Sequence, residues 1–91
     1  MKDWRLKGFR VSPNVNKMYY ALLENKWDGK LKRVHFGHDK MQNFRDITQV
    51  GAYPHLIHGD VKRRKAYRAR AKNQLKPGYF SSGYFSYFFL W

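Results

Sequence analysis

The chain has 91 residues, which limits it to one domain with a small core. Nineteen Lys and Arg residues against six Asp and Glu give a net charge of +13, while aromatic residues make up 19% of the chain. Because disordered tails are poor in aromatic residues, this composition excludes a disordered basic tail and indicates a folded protein with an anionic partner.

Residues 1–16 mix apolar and basic side chains. The alternation of Phe9 and Val11 favours a short extended piece, and the Ser-Pro-Asn tripeptide at 12–14 is typical of a turn. We expect residues 1–16 to form an extended arm that lies on a partner. The alternative is a short edge strand of the same domain.

The next segment carries the signals of a β-hairpin. Two short runs rich in Tyr, Leu, Val and Phe lie on either side of Asp28-Gly29. Asp-Gly is a strong hairpin signal because both positions tolerate positive φ. We predict a hairpin over about residues 17–37, with Val34 and Phe36 facing the core and Lys32 at the exposed end. A lone hairpin is marginally stable in water, so we expect it to pack on the aromatic end of the chain.

The region from 38 to 57 links this hairpin to the rest of the domain. Phe44, Ile47 and Val50 have helical spacing, which predicts a short helix from about Met41 to Gln49.

A second, stronger helix signal follows. Asp60 can cap a helix N-terminus with its carboxylate, and helix formers then continue without Gly or Pro as far as Pro77-Gly78. This pattern predicts a helix over about residues 60–73, ended by a turn at Lys76-Pro77-Gly78.

Positive charge covers every side of this predicted helix. Seven of the eleven residues from Lys62 to Lys72 are Lys or Arg, and only Tyr67 with Ala71 forms a small apolar strip. Such a helix repels itself unless phosphates, acidic side chains or anionic lipid heads supply negative charge. We expect an anion or an acidic partner to bind the basic residues of the helix: Lys62, Arg63, Arg64, Lys65, Arg68, Arg70 and Lys72.

The aromatic segment, residues 79–91, contains eight aromatic residues. Phe80, Tyr84, Phe88 and Trp91 have the spacing of one helix face, and Ser81 or Ser82 suits a cap, so we predict a short helix over about 81–90. One hairpin cannot cover this much aromatic surface, so part of it is expected to meet another subunit. The expected protein interface consists of Phe85, Phe89, Leu90 and Trp91.

Metal binding and catalysis are not expected. The histidines form two His-x-x-His pairs, His35/His38 and His55/His58, but the first pair spans a strand and a turn and should not converge on a metal. Cysteine is absent, and no nucleophile–base signature or glycine-rich phosphate loop is present. We therefore predict a protein that is not an enzyme and has no catalytic residues, cofactor or small-molecule substrate. No stretch has the roughly 20 apolar residues of a transmembrane helix.

Nucleic-acid binding remains an alternative function. Basic residues take phosphates and aromatic residues stack on bases in many nucleic-acid binders. Here the two kinds are segregated, with basic residues at 62–72 and aromatic residues at 79–91. This segregation weakens the case for base stacking and favours a charged helix beside a packing helix.

Four sequence pieces occur in order along the chain: Val34-His35-Phe36-Gly37, then Phe44, Asp46 and Thr48, then His58, Asp60, Arg63, Arg64, Lys65, Tyr67 and Arg70, then Gly83, Ser86, Leu90 and Trp91. Together they resemble a family of small basic proteins of unknown function that large double-stranded DNA viruses of eukaryotes encode. The resemblance covers about residues 17–91, and it departs from the family at Ala71, where a His is frequent. It implies a viral, non-enzymatic origin and presence in the virus particle.

These observations together predict an α+β chain: an arm over 1–16 and a single small domain over 17–91. The function that we expect first is structural, as a minor capsid protein that cements larger capsid proteins in a large icosahedral virus particle. The alternatives are a viral protein that binds or condenses nucleic acid, and a small protein of a ribosome-like particle.

Overall fold

Three antiparallel strands form the sheet of this chain in the order β1-β2-β3. The strands are β1 (Trp4–Val11), β2 (Tyr19–Asn25) and β3 (Leu31–Phe36), and helices follow them along the chain. The computed structural model describes residues 3–75 and 80–91. The α+β class predicted from the sequence is confirmed.

The β2–β3 hairpin is present where the sequence predicts it. Gly29 has a φ of 73°, and its N–H donates to the carbonyl oxygen of Asn25 at 3.0 Å, which closes the turn. The side chains of Val34 and Phe36 pack in the core, and that of Lys32 is exposed, also as predicted.

The N-terminal residues correct the prediction of an arm over 1–16. Strand β1 pairs with β2 from Trp4 opposite Asn25 to Val11 opposite Tyr19, with a bulge near Gly8, so the edge-strand alternative describes this segment. In a two-stranded hairpin one edge of β2 would be unpaired. Strand β1 pairs with that edge and buries apolar side chains on one face. The side chains that β1 packs against the core are Trp4, Leu6 and Phe9.

The predicted helix from Met41 to Gln49 is wrong: this region is a loop. Oδ1 of Asp46 accepts hydrogen bonds from the backbone N–H and the hydroxyl of Thr48, at 2.9 and 2.5 Å. Such side-chain bonds offer the backbone an alternative to helical bonding, and Gln49 takes a positive φ of 69°. Oδ2 of the same carboxylate accepts from the Tyr19 hydroxyl at 2.5 Å, which fixes the loop to the sheet.

The basic helix, α1 (Val61–Ala71), confirms the prediction for this region. Asp60 is its N-cap, and the carboxylate accepts from the N–H groups of Lys62 at 2.9 Å and Arg63 at 3.3 Å. A 3₁₀ turn, Lys72–Leu75, continues the helix. The turn predicted at residues 76–78 lies outside the described residues.

A short helix, α2 (Ser82–Phe85), opens the described part of the aromatic segment and runs into a π-helical turn, Ser86–Leu90. Ser81 caps it, since its hydroxyl oxygen accepts from the N–H of Tyr84 at 3.2 Å. The predicted short helix is therefore confirmed. Trp91 departs from the predicted helix face and stacks on Tyr67 of α1 instead.

The core lies between the sheet and the aromatic segment. The hairpin packs on this segment as predicted, with the rings of Phe36 and Phe85 5.4 Å apart. Helix α1 lies against the aromatic segment through the Tyr67–Trp91 stack. The order of layers is thus sheet, aromatic segment and α1. The largest fully buried side chains are those of Met18, Tyr19, Leu23, Phe36, Phe85 and Leu90.

Candidate anion-binding surface

Three of the four residues of the expected interface are buried by the chain itself, so the prediction is wrong for Phe85, Leu90 and Trp91. Phe85 and Leu90 are 0% exposed and Trp91 is 9% exposed. Phe89 is half-buried, with its ring 4.7 Å from that of Phe9. The prediction counted only the hairpin as cover, whereas β1 supplies Phe9 and α1 supplies Tyr67.

Two of the seven predicted anion-binding residues, Arg64 and Arg68, turn inward. Their Nε–H groups donate to the backbone oxygen of Trp91, at 2.8 and 3.4 Å. Their guanidinium groups also lie over aromatic rings, Arg64 4.8 Å from the centre of Phe44 and Arg68 4.5 Å from that of Tyr87. Carbonyl oxygens at a helix C-terminus attract cations, so these two arginines bind the end of the aromatic segment.

Arg45 joins them at the same end of the aromatic segment. Its guanidinium donates to the carbonyl oxygen of Phe88 at 3.1 Å. Burial, together with the neighbouring Arg64 and Arg68, lowers the pKa of Arg45. A cluster of three arginines therefore fixes the aromatic segment against α1 and the linking loop, and its role is structural.

The other five predicted residues of the basic helix face outward. Arg63 donates to the side-chain oxygen of Gln42 at 2.7 Å, and Arg70 donates weakly to a carbonyl oxygen within its own helix at 3.4 Å. Neither contact neutralises the charge. These five exposed side chains are those of Lys62, Arg63, Lys65, Arg70 and Lys72.

A basic cleft of about 710 Å³ lies between α1, the loop after β3 and the aromatic segment. Tyr67 and Trp91 lie at its apolar side, and the hydroxyl groups of Ser82 and Ser86 line it. No Asp or Glu lines the cleft among the described residues. Its basic lining residues are Lys17, Lys40, Arg63 and Arg70.

Four of the six carboxylates of the chain are engaged elsewhere, and a fifth, that of Asp39, lies 3.8 Å from the ring of His38 in the loop after β3. Asp60 caps α1, Asp46 binds Tyr19 and Thr48, and Asp28 accepts from the N–H of Lys30 at 2.9 Å. Asp3 accepts from the indole of Trp27 at 3.0 Å. Their hydrogen-bond donors are backbone N–H, hydroxyl and indole groups, so these carboxylates leave the outward cations of α1 open to an external anion.

His38 lines the basic cleft, whereas His35 and His58 bind local groups. His35 Nδ1 pairs with the Ser12 hydroxyl at 2.7 Å, and His58 Nδ1 accepts from the N–H of Asp60 at 2.8 Å. Burial, with a contribution from Arg63, lowers the pKa of His58. Within residues 3–75 and 80–91, no three His, Asp or Glu side chains gather to hold a metal ion.

Sequence reasoning missed four residues of the cleft: Lys17, Lys40, Ser82 and Ser86. They come from three separate segments, and no local pattern marks Lys17 or Lys40. Ser86 lies in one of the pieces that carry the viral resemblance, and Ser82 is a candidate helix cap, but neither signal points to a cleft.

Comparisons of the chain with known protein families, curated proteins and solved structures find no match. In the part of the chain that the structure describes, every helix is too short or too polar to cross a bilayer.

Proposed function

We propose that this chain binds nucleic acid by contacting phosphates with the outward side of α1 and the basic cleft. The observation that carries this proposal is the division of the basic residues on α1. Arg64 and Arg68 are used within the fold, whereas Arg63 and Arg70 turn toward a cleft that carries four cations and hydroxyl groups. Arg and Lys with hydroxyl donors are the groups that bind phosphate oxygens.

Phosphate contact, rather than base recognition, is the mode that the surface supports. The rings that line the cleft, Tyr67 and Trp91, stack on each other with centres 4.2 Å apart, and Trp91 is buried. Each ring therefore already has an aromatic stacking partner, which leaves little ring surface for a base. Binding through phosphates alone is independent of sequence and strongly dependent on salt.

The viral resemblance suggests where this activity operates. A basic protein of a large double-stranded DNA virus particle meets the genome during packaging, and phosphate contacts need no particular sequence. The proposal therefore includes location in the virus particle, and it needs neither a cofactor nor a catalytic residue.

A second candidate is the structural role, as a minor capsid protein between larger capsid proteins. The observation that favours it is the apolar surface at the β2–β3 turn, where Trp27 is 82% and Leu31 is 63% exposed. These side chains would dock on a larger subunit while α1 contacts acidic protein surface. Fractionation of particles separates the candidates: a capsid protein stays with emptied shells, and a nucleic-acid-binding protein follows the released genome.

The direct experiment measures binding of a fluorescent 30-base-pair duplex by anisotropy at several salt concentrations. We expect the variant Lys62→Gln/Lys65→Gln to reduce the slope of log K against log salt by up to about 1.8, because each lost phosphate contact reduces this slope by roughly 0.9. Gln has nearly the helix propensity of Lys, so α1 should be retained.

The matched control is Lys26→Gln/Lys30→Gln, which removes the same charge from the exposed β2–β3 turn. It should leave the slope close to that of the wild type. Equal slopes for all three proteins, or binding that does not respond to salt, would contradict the proposal.

A further inference from the structure

The face of the sheet that points away from the core carries its own set of basic residues. In an antiparallel sheet, residues directly opposite each other on neighbouring strands share a face. The residue pairing gives three such rows across this outer face: Arg10–Tyr20–His35, Gly8–Leu22–Arg33 and Arg5–Glu24–Leu31.

This outer face is open in the described part of the chain. The aromatic segment packs on the opposite face, where Phe85 lies 5.4 Å from Phe36. On the outer face, Arg5, Arg10 and Arg33 are exposed.

The charge of the outer face is positive. Arg5, Arg10 and Arg33 stand against Glu24, which is the one carboxylate in the rows. Charge complementarity therefore indicates an anionic partner for this face.

The aromatic ring on this face does not act as a stacking platform. The guanidinium of Arg33 lies 5.0 Å from the centre of the Tyr20 ring, and the His35 ring is 5.4 Å from it. Because both neighbours already contact the ring, they would compete with an unpaired base for it. The exposed groups are cations, which suit the phosphate backbone of a nucleic acid.

The two basic surfaces lie on opposite sides of the molecule. Helix α1 contacts the aromatic segment, through Tyr67 on Trp91 and the hydrogen bonds of Arg64 and Arg68, and this segment separates it from the sheet. The outer face of the sheet points the other way. One phosphate backbone that follows α1 cannot also cover the rows of the outer face.

We propose that the outer face of the sheet binds the phosphate backbone of a second nucleic-acid segment, so that one molecule bridges two segments. This inference rests on the proposed function of α1 and the cleft, and it adds condensation to simple binding. A bridging protein brings distant parts of a genome together without reading their sequence.

The test uses one duplex on beads and a second, fluorescent duplex in solution, and measures capture of the second by the full chain at 0.1 M salt. The variant Arg10→Gln/Arg33→Gln should need at least about tenfold more protein for half-maximal capture. The reason is that each lost phosphate contact weakens the binding constant by a factor that depends on the salt concentration to roughly the power 0.9. Its affinity for a single duplex, measured by anisotropy, should stay within about threefold of the wild type because α1 is intact. Lys26→Gln/Lys30→Gln is again the control of equal charge, and it should capture the second duplex as the wild type does.

Each outcome decides between the two proposals. Loss of capture with single-duplex binding retained supports bridging through the outer face. Capture by Arg10→Gln/Arg33→Gln equal to that of the wild type, or a wild type that binds one duplex without capturing a second, overturns the inference and leaves the proposed function in place. A wild type that binds no duplex at all overturns both.

Discussion

Replacement of Trp91 by Ala tests whether the aromatic segment is core. The indole stacks on Tyr67 with centres 4.2 Å apart and planes 9° apart, and it lies 5.2 Å from the His58 ring. Removing a buried Trp typically costs about 3–5 kcal/mol, and a chain of this size has a free energy of unfolding of about 5–14 kcal/mol. We therefore expect Trp91→Ala to lose about a fifth or more of its stability. Urea unfolding followed by far-ultraviolet circular dichroism measures this loss without relying on the fluorescence of the removed ring.

Trp27→Ala is the matched control, because it deletes the same side chain at a position that is 82% exposed. The hydrogen bond from its indole to Asp3 lies at the surface, so we expect a change in the free energy of unfolding within about 1 kcal/mol. Similar stability of the two variants would refute the reasoning. A Trp91→Ala variant that is fully stable but loses a binding partner would restore the interface interpretation of the aromatic segment.

Three further predictions concern individual contacts. Tyr19→Phe should destabilise the chain by about 2–3 kcal/mol in urea unfolding, because the Tyr19 hydroxyl donates to a carboxylate and accepts from a backbone N–H. The control Tyr20→Phe, on the outer face of the sheet, should change the free energy of unfolding by less than about 0.5 kcal/mol. Burial lowers the pKa of His58, so the folded state binds fewer protons than the unfolded state. Stability should fall as pH drops below about 6.5, and the wild type should show a steeper fall in melting temperature than His58→Gln. The melting temperature of Gly37→Ala should be well below that of Gly29→Ala. Both glycines have positive φ, but only at Gly37 would an added Cβ lie 3.0 Å from a side-chain atom.

The elements that the sequence predicted correctly depend on local signals. The hairpin follows from Asp28-Gly29 between two apolar runs, and α1 follows from the Asp60 cap and a run of helix formers. The sequence of residues 1–16 does not decide between an arm and an edge strand, because that choice depends on whether the segment pairs with β2. The loop around Asp46 was mistaken for a helix because apolar spacing does not show that a side chain binds the backbone.

The sequence predicts that the surface of α1 is positively charged, but not which of its basic side chains point outward. Positive side chains occur on every side of α1, so spacing alone cannot tell which of them fold inward. Arg64 and Arg68 do so because the end of the aromatic segment offers carbonyl oxygens and rings at that side of the helix. The cleft depends on how α1, the loop after β3 and the aromatic segment meet, which brings Lys17 and Lys40 to Arg70. Such contacts between distant parts of the chain leave no local pattern.

The central claim is that the outward side of α1 and the basic cleft bind the phosphates of nucleic acid. The most direct test follows the backbone and side-chain NMR signals of the 11.0 kDa chain while a DNA duplex is added. We predict saturable shifts at Lys62, Arg63, Lys65 and Arg70, reversed by added salt, with little change at the β2–β3 turn. Absence of saturable shifts on α1, or shifts confined to the turn around Trp27, would contradict the claim.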